Sequence, residues 1–265
     1  MKISIAQINS APDVAHNLDT IVRGIRRAAH DGATLVIFPE GATCSFDGDF
    51  AAFARDRAEE THQCIQAAAE EHNIAVICGS FAPHPNDMRV FNILLVFRPG
   101  QPVVTYRKIH LFDAFGFKES RRIAAGDQPV TVEIAGVTVG LAICYDLRFP
   151  TLFTRLAQGG AQVIVVAASW GDGPGKAAQW DLLTRARAVD STSYIVASGQ
   201  AVRDPGREGE PTSPPLGVGH SGVVVPDGRD QLRFGGSQAQ CSTVLDLTHV
   251  ADIRKRIPVL AHQRL

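Results

Sequence analysis

Cys144 ends an apolar stretch, Val137–Ile143, and is followed by Tyr145-Asp146 and then by Pro150, a residue suited to the first turn of a helix. A thiol on a sharp strand-to-helix turn stands clear of the sheet edge. The backbone N–H groups and the positive helix end beside it favour the thiolate, the reactive form. The alternative for any free cysteine is a small buried hydrophobe. That is the reading for the other four, Cys44, Cys64, Cys78 and Cys241. Glu40 follows a second apolar stretch, Ala33–Phe38, in the sequence Pro39-Glu40-Gly41. A carboxylate past the carboxyl end of a buried strand lies where α/β proteins assemble their sites, and it can serve as a general base. Lys108 lies in Tyr106-Arg107-Lys108-Ile109-His110-Leu111-Phe112-Asp113, between apolar neighbours, so its ammonium could steady a developing oxyanion. Glu119 follows the glycine-bearing loop Ala114–Phe117 and carries no signal of its own.

Rival chemistries lack their residues. Gly171–Ala177 is one residue short of a phosphate loop between its glycines and has Ala177 where the magnesium-binding hydroxyl belongs. Gly219-His220-Ser221-Gly222 is not the Gly-x-Ser-x-Gly of a serine hydrolase elbow. The nine histidines are scattered, with no His-Glu-x-x-His and no Cys-x-x-Cys, so neither a zinc site nor a redox pair is expected. No Gly-x-Gly-x-x-Gly follows the first strand, which argues against a dinucleotide. No metal and no cofactor are expected.

The elements that must position these side chains can be read from hydrophobic periodicity. Lys2–Ile8 reads as a strand. Asp13 reads as the N-cap of a helix that carries Val14, Leu18, Ile21, Val22 and Ile25 at helical spacing and closes at Gly32. Ala51–His72 reads as one helix. Ile74–Phe81, Val90–Phe97 and Gln101–Tyr106 read as strands, and Val130–Ile134 with Val137–Ile143 as a hairpin turning at Ala135-Gly136. Pro150–Gln158 and Lys176–Asp190 are expected helices, with strands at Gln162–Ala168 and Tyr194–Ala201. Residues 203–217 are expected to form a surface loop. Ser221–Pro226, Gln231–Phe234 and Cys241–Leu247 are closing strands, and a short helix lies near 249–256. Alternating helices and strands mixed with strand-to-strand steps suggest an α/β fold in which helices cover two sheets. No internal repeat and no dividing linker is apparent, so 1–265 is expected to be a single domain.

The totals exclude several classes. A net charge of −1 gives no electrostatic case for nucleic acid or an anionic membrane. No segment approaches the roughly 18 uninterrupted apolar residues of a membrane span. The N-terminus has no basic segment followed by a long apolar one, which points to the cytoplasm.

Taken together and in order, the segments resemble the nitrilase superfamily of carbon–nitrogen hydrolases across nearly the whole chain. Phe38-Pro39-Glu40 resembles its glutamate motif, Tyr106–Asp113 its lysine motif, and Ile143-Cys144-Tyr145-Asp146-Leu147-Arg148-Phe149-Pro150 its cysteine motif. Ala186-Arg187-Ala188-Val189-Asp190, Gly219-His220-Ser221 and Pro226-Asp227-Gly228 resemble later landmarks. The form of these motifs is most similar to the branch that hydrolyses ω-amides of dicarboxylates and deaminated glutathione. The sequence departs from that branch at Thr151, Gln179, Ser191 and the bulky Trp170.

The resemblance implies a four-layer α-β-β-α sandwich and a homodimer. It implies hydrolysis of a small amide to carboxylate and ammonia through a thioester on Cys144, with Glu40 as base and Lys108 and a backbone N–H near Tyr145 as oxyanion stabilisers. It makes Glu119 a second glutamate that orients Lys108, and Arg148, with Tyr145 and Trp170, the substrate contacts. Arg148 would hold a substrate carboxylate, the alternative being a structural salt bridge to Asp146. Two other functions stay open at this point: hydrolysis of an N-carbamoyl compound by the same residues, and a catalytically silent scaffold.

Overall fold

The computed structural model describes residues 1–203 and 217–264, so the loop expected at 203–217 lies almost wholly outside the described residues. In chain order the first half contains β1 (Lys2–Gln7), α1 (Val14–His30), β2 (Leu35–Ile37), α2 (Phe50–Asp56), α3 (Ala58–Glu71), β3 (Ala75–Pro83), β4 (Val90–Arg98), β5 (Gln101–Arg107), β6 (Asp113–Ala114), β7 (Phe117–Lys118) and β8 (Ile123–Ala124). The second half contains β9 (Thr131–Ile134), β10 (Val137–Ile143), α4 (Pro150–Gln158), β11 (Val163–Ala168), α5 (Lys176–Ser191), β12 (Tyr194–Gly199), β13 (Gly222–Val224), β14 (Asp230–Arg233), β15 (Ala239–Val244), α6 (Thr248–Arg256) and α7 (Val259–His262).

The strands form two large sheets, in the orders β15-β1-β2-β3-β4-β5 and β14-β13-β12-β11-β10-β9, with β8 beside β4. Each has a parallel trio at its centre, β1-β2-β3 and β10-β11-β12, and antiparallel strands outside it. The parallel trios are covered on both faces, which is why their sequences read as continuous apolar runs rather than alternating ones. On β1, Ile3 and Ile5 face the other sheet while Ala6 faces α1. On β11, Val163, Val165 and Ala167 face inward, and Ile164, Val166 and Ala168 pack under α4 and α5. The inter-sheet core therefore draws on both halves of the chain. Two outer cores seat α1 and α3 on one sheet and α4 and α5 on the other, giving the four layers α-β-β-α.

Local signals account for most boundaries. Asp13 caps α1 by accepting from the N–H groups of Ala15 and His16, and Gly32 takes a left-handed φ of +73° just past its end. Pro150 occupies the first turn of α4. Where the expectation differs, the cause is local. The helix expected at Ala51–His72 is two helices, because Arg57 leaves helical geometry at φ −129°. The short pieces β6, β7, β8 and α7 are too brief to leave a periodic signal. Cys44 and Cys78 are buried hydrophobes as expected, but Cys64 and Cys241 are exposed, one on the outer face of α3 and one on the outermost strand of its sheet.

Candidate active site

β10 delivers the chain to Ile143, and Cys144–Arg148 then make one tight 3₁₀ turn before α4. Cys144 takes φ +46°, a left-handed conformation uncommon for a residue with a side chain and associated with strained functional turns. Asp146 fixes the turn from inside. It is fully buried, and its Oδ2 accepts from the Ile143 N–H at 2.9 Å and from the Tyr106 hydroxyl at 2.7 Å. Its Oδ1 accepts from the His110 N–H at 3.0 Å and lies 2.7 Å from His110 Nδ1. Tyr106 and His110 flank Lys108, so one carboxylate ties the Cys144 turn to the strand end that carries the lysine.

Glu40, Lys108 and Glu119 meet beneath the thiol, all three buried. Lys108 Nζ donates to Glu40 Oε1 at 3.0 Å and to both oxygens of Glu119, at 2.9 and 3.0 Å. Glu119 Oε2 also accepts from the Phe112 N–H at 2.6 Å. Glu40 Oε2 accepts from the Ser169 N–H at 2.7 Å, and the Cys144 thiol donates to the Ser169 carbonyl at 3.8 Å. Gly79 on β3 makes room for this segment: a Cβ there would lie 2.3 Å from the Pro39 carbonyl oxygen and 2.6 Å from Glu40 Cα. Burial and then the charge of Glu40 push the Cys144 thiol well above its ordinary value, with Lys108 pulling the other way. The resting thiol is therefore neutral, and attack requires a base at hand. Burial works against the Lys108 ammonium, but Glu40 and Glu119 outweigh it and raise its pKa well above the ordinary value.

A cavity of about 250 Å³ opens above the sulfur. Tyr145, Arg148 and Trp170 all line it, with Phe46, Phe112, Phe115 and Phe117 as apolar walls. Tyr145 packs edge-on against Phe112 and Phe149. Arg148 makes no ion pair with Asp146, whose oxygens are taken by Tyr106, His110 and Ile143. Its Nη2 donates to Gln179 Oε1 at 2.8 Å and its guanidinium lies 5.1 Å from the Trp170 ring centre. Trp170 is anchored by Nε1, which donates to the Lys176 carbonyl at 3.2 Å. Among the described residues no group of three or more His, Cys, Asp or Glu side chains could hold a metal ion.

The structure thus brings Glu40, Lys108, Glu119 and Cys144 to one point and Tyr145, Arg148 and Trp170 to the cavity above it. Sequence reasoning missed Asn92, Asp146 and Gln200 as parts of this assembly. Asn92 Nδ2 donates to Glu40 Oε1 at 2.7 Å and, more weakly, to Glu119 Oε1 at 3.4 Å. Gln200 Nε2 donates to the Glu40 carbonyl at 2.9 Å. The signal for Asn92 is visible in retrospect, since it is the lone amide in the apolar run Val90-Phe91-Asn92-Ile93-Leu94-Leu95.

The profile of the carbon–nitrogen hydrolase family matches residues 2–253. Hydrolase Rv0480c of Mycobacterium tuberculosis is 45% identical across 99% of this chain and 95% of its own length. The omega-amidase NIT2 of Homo sapiens is 33% identical across 99% of this chain and 95% of its own. The crystal structure of XC1258 from Xanthomonas campestris, a CN-hydrolase superfamily protein with an arsenic adduct in its active site, superposes with a TM-score of 0.85 at 26% identity, covering 100% of this chain and 97% of that one. Nit3 of Saccharomyces cerevisiae, a member of branch 10 of the nitrilase superfamily, gives a TM-score of 0.85 at 25% identity, over 100% of this chain and 97% of its own.

Proposed function

The chain belongs to the carbon–nitrogen hydrolase family of the nitrilase superfamily, and from that premise we propose that Cys144, Glu40 and Lys108 hydrolyse a small acidic amide. Glu40 takes the proton of the neutral Cys144 thiol as the sulfur attacks the carbonyl carbon. The tetrahedral oxyanion is met by the Lys108 ammonium and by a backbone N–H near Tyr145. Glu40 returns the proton to the nitrogen, the C–N bond breaks and ammonia leaves from a primary amide, or an amine from a substituted one. Water then attacks the thioester, giving its proton to Glu40, and the carboxylate product departs as the sulfur regains a proton. Glu119 holds Lys108 in place through both its oxygens. The observation that carries the reading is the convergence of Cys144, Glu40 and Lys108 on one cavity, with Lys108 Nζ donating to Glu40 Oε1 at 3.0 Å.

The substrate is an ω-amide of a dicarboxylate or deaminated glutathione. Support comes from Arg148, a guanidinium on the wall of a small, mostly apolar cavity, without an acidic partner among the described residues, and from the kinship with omega-amidases. A substrate carboxylate would make the bidentate pair that Arg148 lacks. The whole chain, 1–265, works as one hydrolase domain, in the cytoplasm and as a homodimer, which the family resemblance suggests. Turnover of succinamate, α-ketoglutaramate, deaminated glutathione and N-carbamoyl acids, read as ammonia or amine release with Cys144→Ala as blank, tests the reading. Carbon dioxide appearing with the ammonia would move the assignment to carbamoyl hydrolysis. A thiol at position 144 that alkylates slowly and is not protected by any of these amides would mark a silent scaffold.

A further inference from the structure

The two oxygens of Glu40 are held differently. Oε1 accepts from both Lys108 Nζ, at 3.0 Å, and Asn92 Nδ2, at 2.7 Å. Oε2 accepts from the Ser169 N–H at 2.7 Å. The Cys144 thiol is held at the same residue but by the other end of it, donating to the Ser169 carbonyl at 3.8 Å. Oε1 is therefore held by two donors, whereas Oε2 accepts from one backbone N–H. The orientation of the Asn92 amide follows from its neighbours: carboxylates only accept, so the NH₂ end must face Glu40 and Glu119. That choice leaves Asn92 Oδ1 buried with no hydrogen-bond partner among the described residues. A buried acceptor left unsatisfied is a cost to the fold and asks for a reason. Asn92 is fully buried on β4, between β3 and β5, and its own carbonyl accepts from the Lys108 N–H at 2.9 Å, so it holds the lysine backbone as well.

We propose that Asn92 is a positioning residue for the hydrolysis: together with Lys108 its amide occupies Glu40 Oε1, so that Oε2, which accepts from the Ser169 N–H, is the oxygen that exchanges the proton with the sulfur and then with the leaving nitrogen. The proposal rests on the reading of Glu40 as the base. Asn92 adds a donor between two carboxylates without adding a charge, so the single Lys108 ammonium need not hold both acids unaided. Its donor is worth most while Glu40 is ionised, because hydrogen bonds to charged acceptors are stronger than neutral ones. The proton thus travels between sulfur and Oε2 by a carboxyl that cannot swing.

The test uses substitutions of similar size. Asn92→Leu removes the donor, and Asn92→Asp replaces it by a third acceptor facing Glu40 and Glu119. With succinamate, Asn92→Leu is expected to lower kcat about ten- to a hundredfold, the range for a lost hydrogen bond to a charged group, with KM within about threefold of wild type. Asn92→Asp is expected to fall further still. A residue that only fills space would behave otherwise, with Leu close to wild type because its volume is kept. Asn92→Ser, which retains one donor, is expected between Leu and wild type, and it keeps the experiment decisive where the Asp variant does not fold. A kcat within threefold of wild type for Leu, a Ser variant no better than Leu, or losses in kcat matched by equal rises in KM would each overturn the proposal. The wild-type rate against Cys144→Ala tests the underlying reading separately, so the two failures are distinguishable.

Discussion

The floor of the cavity and its mouth contain the same kinds of side chain and treat them in opposite ways. At the floor, Glu40, Lys108 and Glu119 are 1%, 2% and 4% exposed, and each charge is answered by an opposite charge within hydrogen-bond distance. At the mouth, Phe115 is 88% exposed, and the cations rest on rings instead of acids: Arg148 over Trp170 at 5.1 Å and Lys176 over Phe115 at 4.7 Å. Buried ions are costly to desolvate and hold only with every partner present, so the floor cannot adapt without coming apart. A cation on an exposed ring is held weakly and can exchange that ring for a carboxylate at little cost. On the proposed function, the chemistry is built into the rigid part and the choice of substrate into the yielding part.

The largest effects should come from breaking the floor. Cys144→Ala is expected to abolish turnover and Glu40→Gln to lower it by at least about a thousandfold, in the range of lost nucleophiles and bases. Glu40→Gln carries a second, opposite sign. The Glu40 charge is among the causes that raise the thiol, so its removal brings the Cys144 pKa down. Alkylation of Cys144 by iodoacetamide at fixed pH should then quicken while turnover collapses. A variant in which both fall together would show that residue 40 does no more than shape the site.

Lys108→Met should cost the fold as well as the reaction. It leaves two buried carboxylates facing one another, and removal of one partner from a buried pair is worth about 3–5 kcal/mol, readable by urea unfolding. The same cluster sets an alkaline limit. The pKa of Lys108 is raised in the folded protein, so its contribution to stability is complete below the ordinary 10.5 and is lost as pH climbs toward the folded value. The Cys144 thiol is raised from 9.0, so folded protein keeps a proton that the unfolded chain releases, and stability falls above that pH. Burial raises Cys44 and Cys78 too, with the same sign. Cys144→Ala should thus lessen the decline above pH 9.0 by one proton, about 1.4 kcal/mol per pH unit, without removing it. An unchanged slope would mean that the thiol at 144 is not perturbed by its surroundings.

The contrast between floor and mouth also governs what could be read from the sequence. Glu40 and Cys144 stand just past buried apolar strands and Lys108 just past the end of β5, and motif and periodicity together singled them out. The two-sheet, helix-covered architecture followed from the same runs. The residues that hold them were harder. Asp146 was seen only as a neighbour of Cys144, because nothing local says that it will reach across to Tyr106 and His110, 40 and 36 residues away. Gln200 acts through the backbone of Glu40, 160 residues away, and has no type requirement that a pattern could show. At the mouth, Arg148 and Trp170 were found by their place in or near a motif, whereas Lys176 and Phe115 meet only through the pairing of a two-residue hairpin with the start of α5.

Arg148→Lys tests the mouth directly. The ammonium keeps the charge but loses the planar fork, so KM for succinamate should rise about tenfold or more, while a neutral amide such as propionamide should change little. Equal losses on the two amides would take the recognition role from Arg148 and assign it to packing against Trp170.

The smallest effect belongs to the outermost contact. Lys176 and Phe115 join the hairpin of β6 and β7 to the first turn of α5 across the cavity opening. A cation on an exposed ring is worth about 0.5–1 kcal/mol, so Lys176→Met and Phe115→Leu should each raise KM about two- to fivefold and leave kcat alone. The single variants cannot separate the contact from a direct effect of either side chain on substrate. A double-mutant cycle can: if the contact is what matters, the double variant should be no worse than the single ones, because either change already breaks it. Losses that add would mean that Lys176 and Phe115 act on the substrate independently. The mouth would then be, like the floor, a set of fixed groups, and the division between a rigid chemistry and a yielding selectivity would fail.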